Sequence, residues 1–169
     1  MNFQKVIIIG SGGSGKSTLS YEISKKFDLP ITHLDKVFWR PDWEPIGRDL
    51  LEAKLREVLQ SSKWIIEGNY DSTLEMRLEK ADTVIFLDFN RLTCISRVIK
   101  RYFMYRGKTR PDMGEGCQEK IDYIFLRWLW RFPKDTRPRM LELLNKYPDI
   151  NLITLKTPKE VKEFLHTSL

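Results

Sequence analysis

A glycine-rich turn near the start of the chain combines a lysine and hydroxyl side chains in a spacing suited to phosphate binding. Residues 10–17 fit the pattern G-x-x-x-x-G-K-[ST], and a predicted strand precedes them while a predicted helix follows. Glycines let successive backbone N–H groups point toward an anion, and the start of the helix adds its positive dipole end. The nucleotide-binding residues predicted from this loop are Gly10, Ser11, Gly12, Gly13, Ser14, Gly15, Lys16, Ser17 and Thr18.

The last residues of the loop indicate a nucleoside triphosphate bound together with a divalent cation. Lys16 is placed to reach the β- and γ-phosphates, and the Ser17 hydroxyl is placed to ligate Mg²⁺. The expected ligands are therefore ATP and Mg²⁺, with GTP left open as the nucleotide. A GTPase switch is disfavoured because its guanine signature N-K-x-D is missing, since "NKYPD" at 145–149 has one residue too many.

Three carboxylates, Asp35, Glu67 and Asp88, each end a predicted strand. In open α/β sheets the ligand crevice lies at the carboxyl ends of the strands, where the phosphate loop also lies. Carboxylates there hold the waters of Mg²⁺ or accept a proton from an attacking hydroxyl. We predict that Glu67 or Asp88 joins Ser17 on the metal side, with Glu67 favoured, and that Asp35 is the base or the acceptor contact. A cap on the following helix is the alternative for each, above all for Asp88.

Basic residues are concentrated in the second half of the chain. Residues 97–139 contain twelve Lys/Arg against five Asp/Glu, an excess of seven, whereas the net charge of the whole chain is +6. Such a region indicates an anionic partner, either nucleotide phosphates or a nucleic acid; a solvated helix face is the alternative. Forked guanidinium groups suit the charge that develops in phosphoryl transfer. The predicted catalytic residues are Lys16, Asp35, Arg97, Arg101, Arg110 and Arg131.

Alternating strands and helices must position these residues. Four consecutive apolar residues at 6–9 are typical of a strand buried in a parallel sheet, and the alternation indicates an α/β protein. A glycine- and charge-rich stretch at approximately 102–118 is predicted to be a lid within a single domain spanning 1–169. Strands are predicted at 5–10, 31–35, 63–68, 82–88 and 150–155, and helices at 16–27, 48–61, 91–105, 117–131, 135–147 and 158–167.

Composition narrows the class of protein further. The 169 residues suit one domain, the two cysteines are too few for a disulfide scaffold, and no Cys/His group has metal-ligand spacing. The apolar run near the N-terminus is too short for a signal peptide or a membrane span, so we expect a cytoplasmic protein without a membrane partner.

Aromatic residues offer two further surfaces. Those at 38, 39 and 43 follow Asp35 and form either an apolar wall for a ring of the ligand or part of the core. Trp128 and Trp130 are two residues apart on a predicted helix and cannot share one face. At least one of them is expected to be exposed or to meet another surface, which leaves a homodimer open.

The loop, the strand end "WIIEGNY" and the arginine pair together resemble an adenylate-kinase-like P-loop kinase. The chain is more closely similar to the bacterial DNA topology modulation proteins, over residues 5 to about 155, through "HLDKVFW", "WIIEGNY", "LDFNRLTCISRVIKR" and "TRPDMGEGCQEK". The resemblance implies a three-layer α/β P-loop nucleoside triphosphate hydrolase fold with a parallel sheet in the order 2-3-1-4-5 and a helical lid. It also implies that Arg97 and Arg101 match the arginine pair at the start of the lid.

One segment departs from the adenylate kinase pattern. Adenylate kinases end the strand before the substrate-side helix in Asp-Gly followed by an arginine, whereas this chain has Glu67-Gly68 followed by Asn69 and Tyr70. The next arginine is Arg77, so the usual monophosphate-binding signature is altered.

The predicted function is that of an ATP-dependent kinase that transfers the γ-phosphoryl group to a nucleotide or another small, unidentified acceptor. The alternative is a nucleotide-regulated nucleic-acid-binding protein in which the basic 97–139 region contacts a phosphate backbone. Binding that weakens steeply with added salt would indicate the nucleic-acid-binding protein, because contact with a phosphate backbone releases counterions. No DNA-reading motif is recognisable in the sequence.

Overall fold

The computed structural model describes residues 3–167. Strands and helices alternate along most of the chain, as the sequence predicts. The strands, numbered in chain order, are β1 (Lys5–Gly10), β2 (Ile31–His33), β3 (Trp39–Arg40), β4 (Glu44–Pro45), β5 (Trp64–Glu67), β6 (Thr83–Leu87) and β7 (Asn151–Leu155). The helices are α1 (Lys16–Phe27), α2 (Leu34–Phe38), α3 (Arg48–Leu59), α4 (Asp71–Leu78), α5 (Arg91–Tyr105), α6 (Tyr123–Asp135), α7 (Arg137–Leu144) and α8 (Pro158–Thr167).

Five of the strands form one parallel sheet in the order β2-β5-β1-β6-β7, and β3 and β4 form a separate antiparallel hairpin. The strand numbers differ from those of the predicted order 2-3-1-4-5, because that order did not count the two hairpin strands, β3 and β4. The predicted α/β fold class is confirmed. Because all sheet strands are parallel, their carboxyl ends meet at one edge, where the phosphate loop follows β1.

The central strand β1 is buried on both faces. Ile7 and Ile9 pack in a core cluster with residues of α3, α4 and α7, and Val6 and Ile8 pack in a second cluster with residues of α1 and α8. All four side chains are fully buried. Helices therefore cover both faces of the sheet, which gives the three layers that the run of apolar residues predicts.

The predicted helix at 117–131 is wrong at both ends. It begins at Tyr123, because the Asp122 carboxylate accepts a hydrogen bond from the Phe125 N–H at 2.7 Å and caps the helix there. Residues 117–119 are not helical, since Gln118 and Glu119 form isolated bridges with Thr109 and Arg106. The strand predicted at 31–35 ends at 33, and the sequence analysis missed α4 and the β3–β4 hairpin.

We call residues 106–122, between α5 and α6, the lid segment; the sequence placed the lid at approximately 102–118. It packs on the β3–β4 hairpin. Cys117 Sγ donates to the Arg40 carbonyl oxygen at 2.9 Å, and Trp43 Nε1 donates to the Gln118 carbonyl oxygen at 3.0 Å. A Cβ atom on Gly114 would lie 2.0 Å from the Trp39 carbonyl oxygen, so this backbone approach requires glycine. No helix within residues 3–167 is both long and apolar enough to cross a bilayer.

Candidate functional site

The phosphate loop joins the end of β1 to the start of α1, as predicted. Gly13 has a φ of 78°, and a Cβ atom there would lie 2.4 Å from the Cys94 carbonyl oxygen of α5. A Cβ atom on Gly12 would lie 2.9 Å from the Phe125 ring of α6. Glycines are therefore needed because the loop is enclosed by the two helices that flank the lid segment.

Side chains from outside the loop hold its backbone in place. Asn69, just after β5, accepts a hydrogen bond from the Gly10 N–H through its Oδ1 atom at 3.0 Å. Arg97 of α5 donates to the Ser14 carbonyl oxygen at 3.2 Å. The Lys16 ammonium group donates to the Ser11 carbonyl oxygen at 3.0 Å. The structure thus brings the predicted residues Lys16 and Arg97 to the loop, and it adds Asn69, which the sequence analysis did not single out.

The Ser17 hydroxyl lies within hydrogen-bonding distance of two carboxylates. It donates to Asp112 Oδ2 of the lid segment at 2.7 Å and lies 3.2 Å from Glu67 Oε2 of β5. Glu67 Oε2 is also 2.9 Å from His33 Nδ1. Burial acts to raise the pKa of Asp112, but the charge of Arg110 and the hydrogen bond from Ser17 outweigh it and lower that pKa, so the carboxylate is ionised at neutral pH.

The oxygen atoms around Ser17 fit a Mg²⁺ ion that is bound mainly by nucleotide phosphates and water. No three His, Cys, Asp or Glu side chains within the described part of the chain could hold a metal ion alone. Mg²⁺ commonly keeps several waters and takes only one or two protein ligands beside phosphate oxygens. A hydroxyl flanked by two carboxylates supplies such a ligand and acceptors for the waters.

Asp88 is not brought to this group. Both of its carboxylate oxygens accept hydrogen bonds from Arg137 of α7 at 2.8 Å. This bidentate ion pair joins the end of β6 to the start of α7, and it occupies the carboxylate that the sequence analysis placed on the metal side. The sequence offered no sign of it, because the two residues are 49 positions apart.

A buried carboxylate in the lid segment joins two of the predicted arginines. Glu119, whose side chain is 2% exposed, lies 2.8 Å from Arg101 Nε of α5 and 2.7 Å from Arg110 Nε of the lid segment. Arg110 also donates to Asp112 Oδ2 at 3.0 Å. Neither Glu119 nor Asp112 was predicted from the sequence, although acids within so basic a stretch were a signal of internal ion pairs.

Arg131 lies apart from these arginines. Its guanidinium group pairs with Asp135 one turn further along α6, at 2.5 Å, and about half of its side chain is exposed. The structure thus places Arg97, Arg101 and Arg110 around the loop and the lid segment, and it directs Arg131 toward a neighbouring acid on its own helix.

Asp35 lies in the first turn of α2, next to the carboxyl end of β2. Its Oδ1 atom accepts a hydrogen bond from the Tyr70 hydroxyl at 2.8 Å. Burial raises the pKa of Asp35, and the nearby charge of Glu67 raises it further, against the lowering effect of Tyr70 and Lys16. The sequence marked Tyr70 only as part of the altered strand-end signature, and its contact with Asp35 was not predicted because it spans 35 residues.

Aromatic rings line the region beside Asp35. Phe38 packs edge-on against both Tyr70 and Trp39, with ring centroids 4.9 Å apart in each case. Trp39 in turn contacts Trp43 at 5.7 Å. Phe38 also packs against the core, whereas Trp43, in the turn of the hairpin, contacts the lid segment through its hydrogen bond to Gln118. The role of these rings as a wall for a ring of the ligand stays a prediction.

Arg77 shapes the turn that carries Tyr70. Its fully buried guanidinium group donates to the carbonyl oxygens of Gly68, Asn69 and Tyr70, and its Nε donates to that of Thr73. All three guanidinium nitrogens of Arg77 thus donate hydrogen bonds to backbone carbonyl oxygens. Burial lowers the pKa of Arg77 to about 9, which leaves the group charged at neutral pH.

Two curated proteins similar in sequence to this chain are kinases. An adenylate kinase from Encephalitozoon cuniculi is 26% identical over 122 residues, which cover 60% of this chain and 68% of the relative. A shikimate kinase from Rhodococcus jostii is 29% identical over 101 residues, which cover 51% of this chain and 60% of the relative. No family model matches the chain.

Solved kinase structures share the fold. A shikimate kinase from Acinetobacter baumannii, solved with shikimate, aligns with 98% of this chain and 90% of its own at a TM-score of 0.63 and 15% identity. A gluconokinase from Sinorhizobium meliloti aligns with 98% and 89% at a TM-score of 0.56 and 15% identity. The chain therefore has the P-loop kinase fold, and its relatives support a nucleotide-binding phosphotransferase. The closer similarity to DNA topology modulation proteins stays a prediction.

Proposed function

We propose that this protein is an ATP-dependent kinase that transfers the γ-phosphoryl group to a hydroxyl of a small acceptor. The observation that carries the proposal is the position of Asp35. It follows β2 at the carboxyl edge of the sheet, where His33 of β2 is in register with Glu67, and Glu67 lies 3.2 Å from the Ser17 hydroxyl. Its charge also interacts with that of Lys16 in the phosphate loop, and burial raises its pKa. A carboxylate so placed is suited to accept the proton of a hydroxyl that attacks the γ-phosphate.

The other residues around the loop have separate proposed roles in phosphate binding, in support of the loop and in metal binding. Lys16 supplies positive charge to the phosphate oxygens, while Arg97 supports the loop and Arg101 and Arg110 support the lid segment. Ser17, with Glu67 and Asp112 beside it, would hold the Mg²⁺ that accompanies the nucleotide. When bound, this ion supplies charge neutralisation for the β- and γ-phosphate oxygens.

The backbone hydrogen bonds of Arg77 favour a hydroxyl acceptor over a monophosphate acceptor. A monophosphate needs a guanidinium or ammonium group that is free to bind it. Arg77 follows the altered strand-end signature, but all of its nitrogens donate to backbone carbonyls. Asp35, Tyr70 and the aromatic rings beside them instead suit an uncharged, hydroxyl-bearing part of an acceptor.

Nucleic-acid binding is the weaker candidate. Four arginines of the basic 97–139 region, Arg101, Arg110, Arg131 and Arg137, already form ion pairs with carboxylates of this chain. These pairs reduce the positive charge that a phosphate backbone would meet, and both curated relatives described above are kinases.

The test is ADP release from ATP and Mg²⁺ in the presence of sugars, hydroxy acids, nucleosides, nucleoside monophosphates and 5′-hydroxyl oligonucleotides. We expect turnover that depends on one class of small hydroxyl compounds and that disappears in Lys16→Ala. Lys162→Ala, on the exposed surface of α8, is the matched control and keeps wild-type turnover. Tight ATP binding without acceptor-dependent turnover across the panel would contradict the proposal.

A further inference from the structure

A carboxylate of the lid segment contacts the phosphate loop. Asp112 lies 95 residues after Ser17 in the chain, yet its Oδ2 atom is 2.7 Å from the Ser17 hydroxyl. Glu67 approaches the same hydroxyl from β5 at 3.2 Å. Two carboxylates thus meet one hydroxyl, one from the sheet and the other from the segment that joins α5 to α6.

The charges around this contact do not suit a lid that responds to phosphate alone. Arg110 pairs with Asp112 at 3.0 Å, but it is shared between Asp112 and Glu119, and Glu119 also pairs with Arg101. The four side chains carry two positive and two negative charges, so the group offers no net positive charge to a triphosphate. Asp112 itself would repel phosphate oxygens, because like charges a few ångströms apart in a partly buried site disfavour each other.

A divalent cation reverses this repulsion. Carboxylates are good acceptors for the waters of Mg²⁺, and the Ser17 hydroxyl is the predicted protein ligand of that ion. With a cation between the phosphates and the lid segment, the charge of Asp112 favours closure instead of opposing it. Without the cation, the nucleotide and Asp112 compete for the same place beside Ser17.

We propose that Asp112 is a positioning residue through which the lid segment recognises the divalent cation that accompanies the nucleotide. Asp112 and Glu67 together hold the waters of that ion, and the lid segment closes over the nucleotide only when the ion is present. This inference rests on the proposed kinase function and specifies its metal side.

The experiment measures binding of the non-hydrolysable analogue β,γ-imido-ATP to the full chain by calorimetry, with Mg²⁺ and separately with EDTA. We expect Asp112→Asn to weaken binding with Mg²⁺ by about 10-fold or more, as losses of second-sphere metal contacts do. In EDTA the same variant should bind the analogue at least as tightly as the wild type, since without the cation the Asp112 charge only repels the phosphate oxygens. Glu115→Gln, an exposed carboxylate three residues away in the lid segment, is the matched control and should match the wild type in both conditions.

Closure gives a second readout that is independent of affinity. Arg106 and Lys108 lie in the exposed part of the lid segment and are trypsin sites. In the wild type and in Glu115→Gln, the analogue with Mg²⁺ should slow cleavage there, whereas the analogue with EDTA should not. In Asp112→Asn, saturated with the analogue and Mg²⁺, cleavage should stay fast.

Several outcomes would overturn the inference. Unchanged or tighter binding of the Mg²⁺ complex by Asp112→Asn would show that the carboxylate merely occupies the empty phosphate site. An equal loss with Mg²⁺ and with EDTA would show a general structural role. If Asp112→Asn does not fold, Asp112→Ser removes the same charge and is held to the same outcomes. Failure of the wild type to bind the analogue at all would instead remove the proposed function, and this inference with it.

Discussion

Asp35 has the environment of a base whose strength is set by its neighbours. Burial and the charge of Glu67 raise its pKa, and the hydrogen bond from Tyr70 partly opposes them. The proposed base must be deprotonated to accept a proton, so we expect activity to be lost as the pH falls through this raised pKa. The acid limb of the pH profile should therefore lie above the value of about 3.9 that is usual for an aspartate.

Substitutions at Asp35 and Tyr70 test this assignment. Asp35→Asn should lower kcat by about 10²- to 10⁴-fold, the usual contribution of a general base, while the analogue with Mg²⁺ binds as in the wild type. Tyr70→Phe removes a hydrogen bond that lowers the pKa of Asp35, so the acid limb of kcat/KM should move to higher pH. Full kcat in Asp35→Asn, or a limb that stays in place in Tyr70→Phe, would show that Asp35 is not the base.

At the scale of elements, Glu119 connects the lid segment to α5. Its buried carboxylate pairs with Arg101 and Arg110, which lie on different elements. Removing one member of a buried charged group leaves the others without a partner, which costs about 3–5 kcal/mol in comparable sites. Here that loss falls mainly on the attachment of the lid segment, because Arg101 is partly exposed and can regain water.

We expect Glu119→Gln to release the lid segment without unfolding the sheet. Tryptic cleavage after Arg106 and Lys108 should become several-fold faster, while the far-ultraviolet circular dichroism of the chain stays close to that of the wild type. Glu115→Gln changes the same residue type at an exposed position and should leave the cleavage rate unchanged. Equal cleavage rates in the two variants would mean that Glu119 does not hold the lid segment.

The elements differ in how far the sequence predicts them. The phosphate loop and β1 were predictable because their signals are local: an apolar run, then glycines, a lysine and a hydroxyl at fixed spacing. The start of α6 was not, since Gln118 and Glu119 form bridges with Thr109 and Arg106 and Asp122 caps the helix. Polar residues within α4 hid its helical pattern, although Leu74 and Leu78 lie on one face and are buried.

The candidate site shows the same limit. Lys16, Ser17 and Glu67 were predicted from the loop and from a strand end, and Glu67 lies 3.2 Å from the hydroxyl of Ser17, the residue after Lys16. Asp112 was not predicted, because its partner lies 95 residues away and no local pattern marks that contact. Asp88 satisfied the strand-end rule equally well, but Arg137 binds it instead. Contacts between distant segments therefore decided which carboxylates face the loop.

At the scale of the whole molecule, the phosphate loop forms hydrogen bonds with several of the segments around it. Asn69 after β5 holds Gly10, Arg97 of α5 holds Ser14, and Asp112 of the lid segment holds Ser17. Opening the loop would break contacts to each of these segments. A ligand that binds the closed loop should therefore stabilise the folded chain as a whole and not the loop alone.

Thermal unfolding measures this coupling. At 100 times its Kd a ligand that binds only the folded state adds about 2.7 kcal/mol, which for a chain of this size raises Tm by roughly 5–10 °C. We expect a shift of this size with the imido analogue and Mg²⁺, at concentrations scaled to the measured Kd of the wild type. Lys16→Ala should lose most of the shift at the same concentrations, because the lysine is the proposed contact for the phosphates, whereas Lys162→Ala on α8 should keep it. A full shift in Lys16→Ala would mean that the analogue binds elsewhere. Tight binding by calorimetry without any shift would mean that the loop opens independently of the sheet, since the ligand would then stabilise only a local unit.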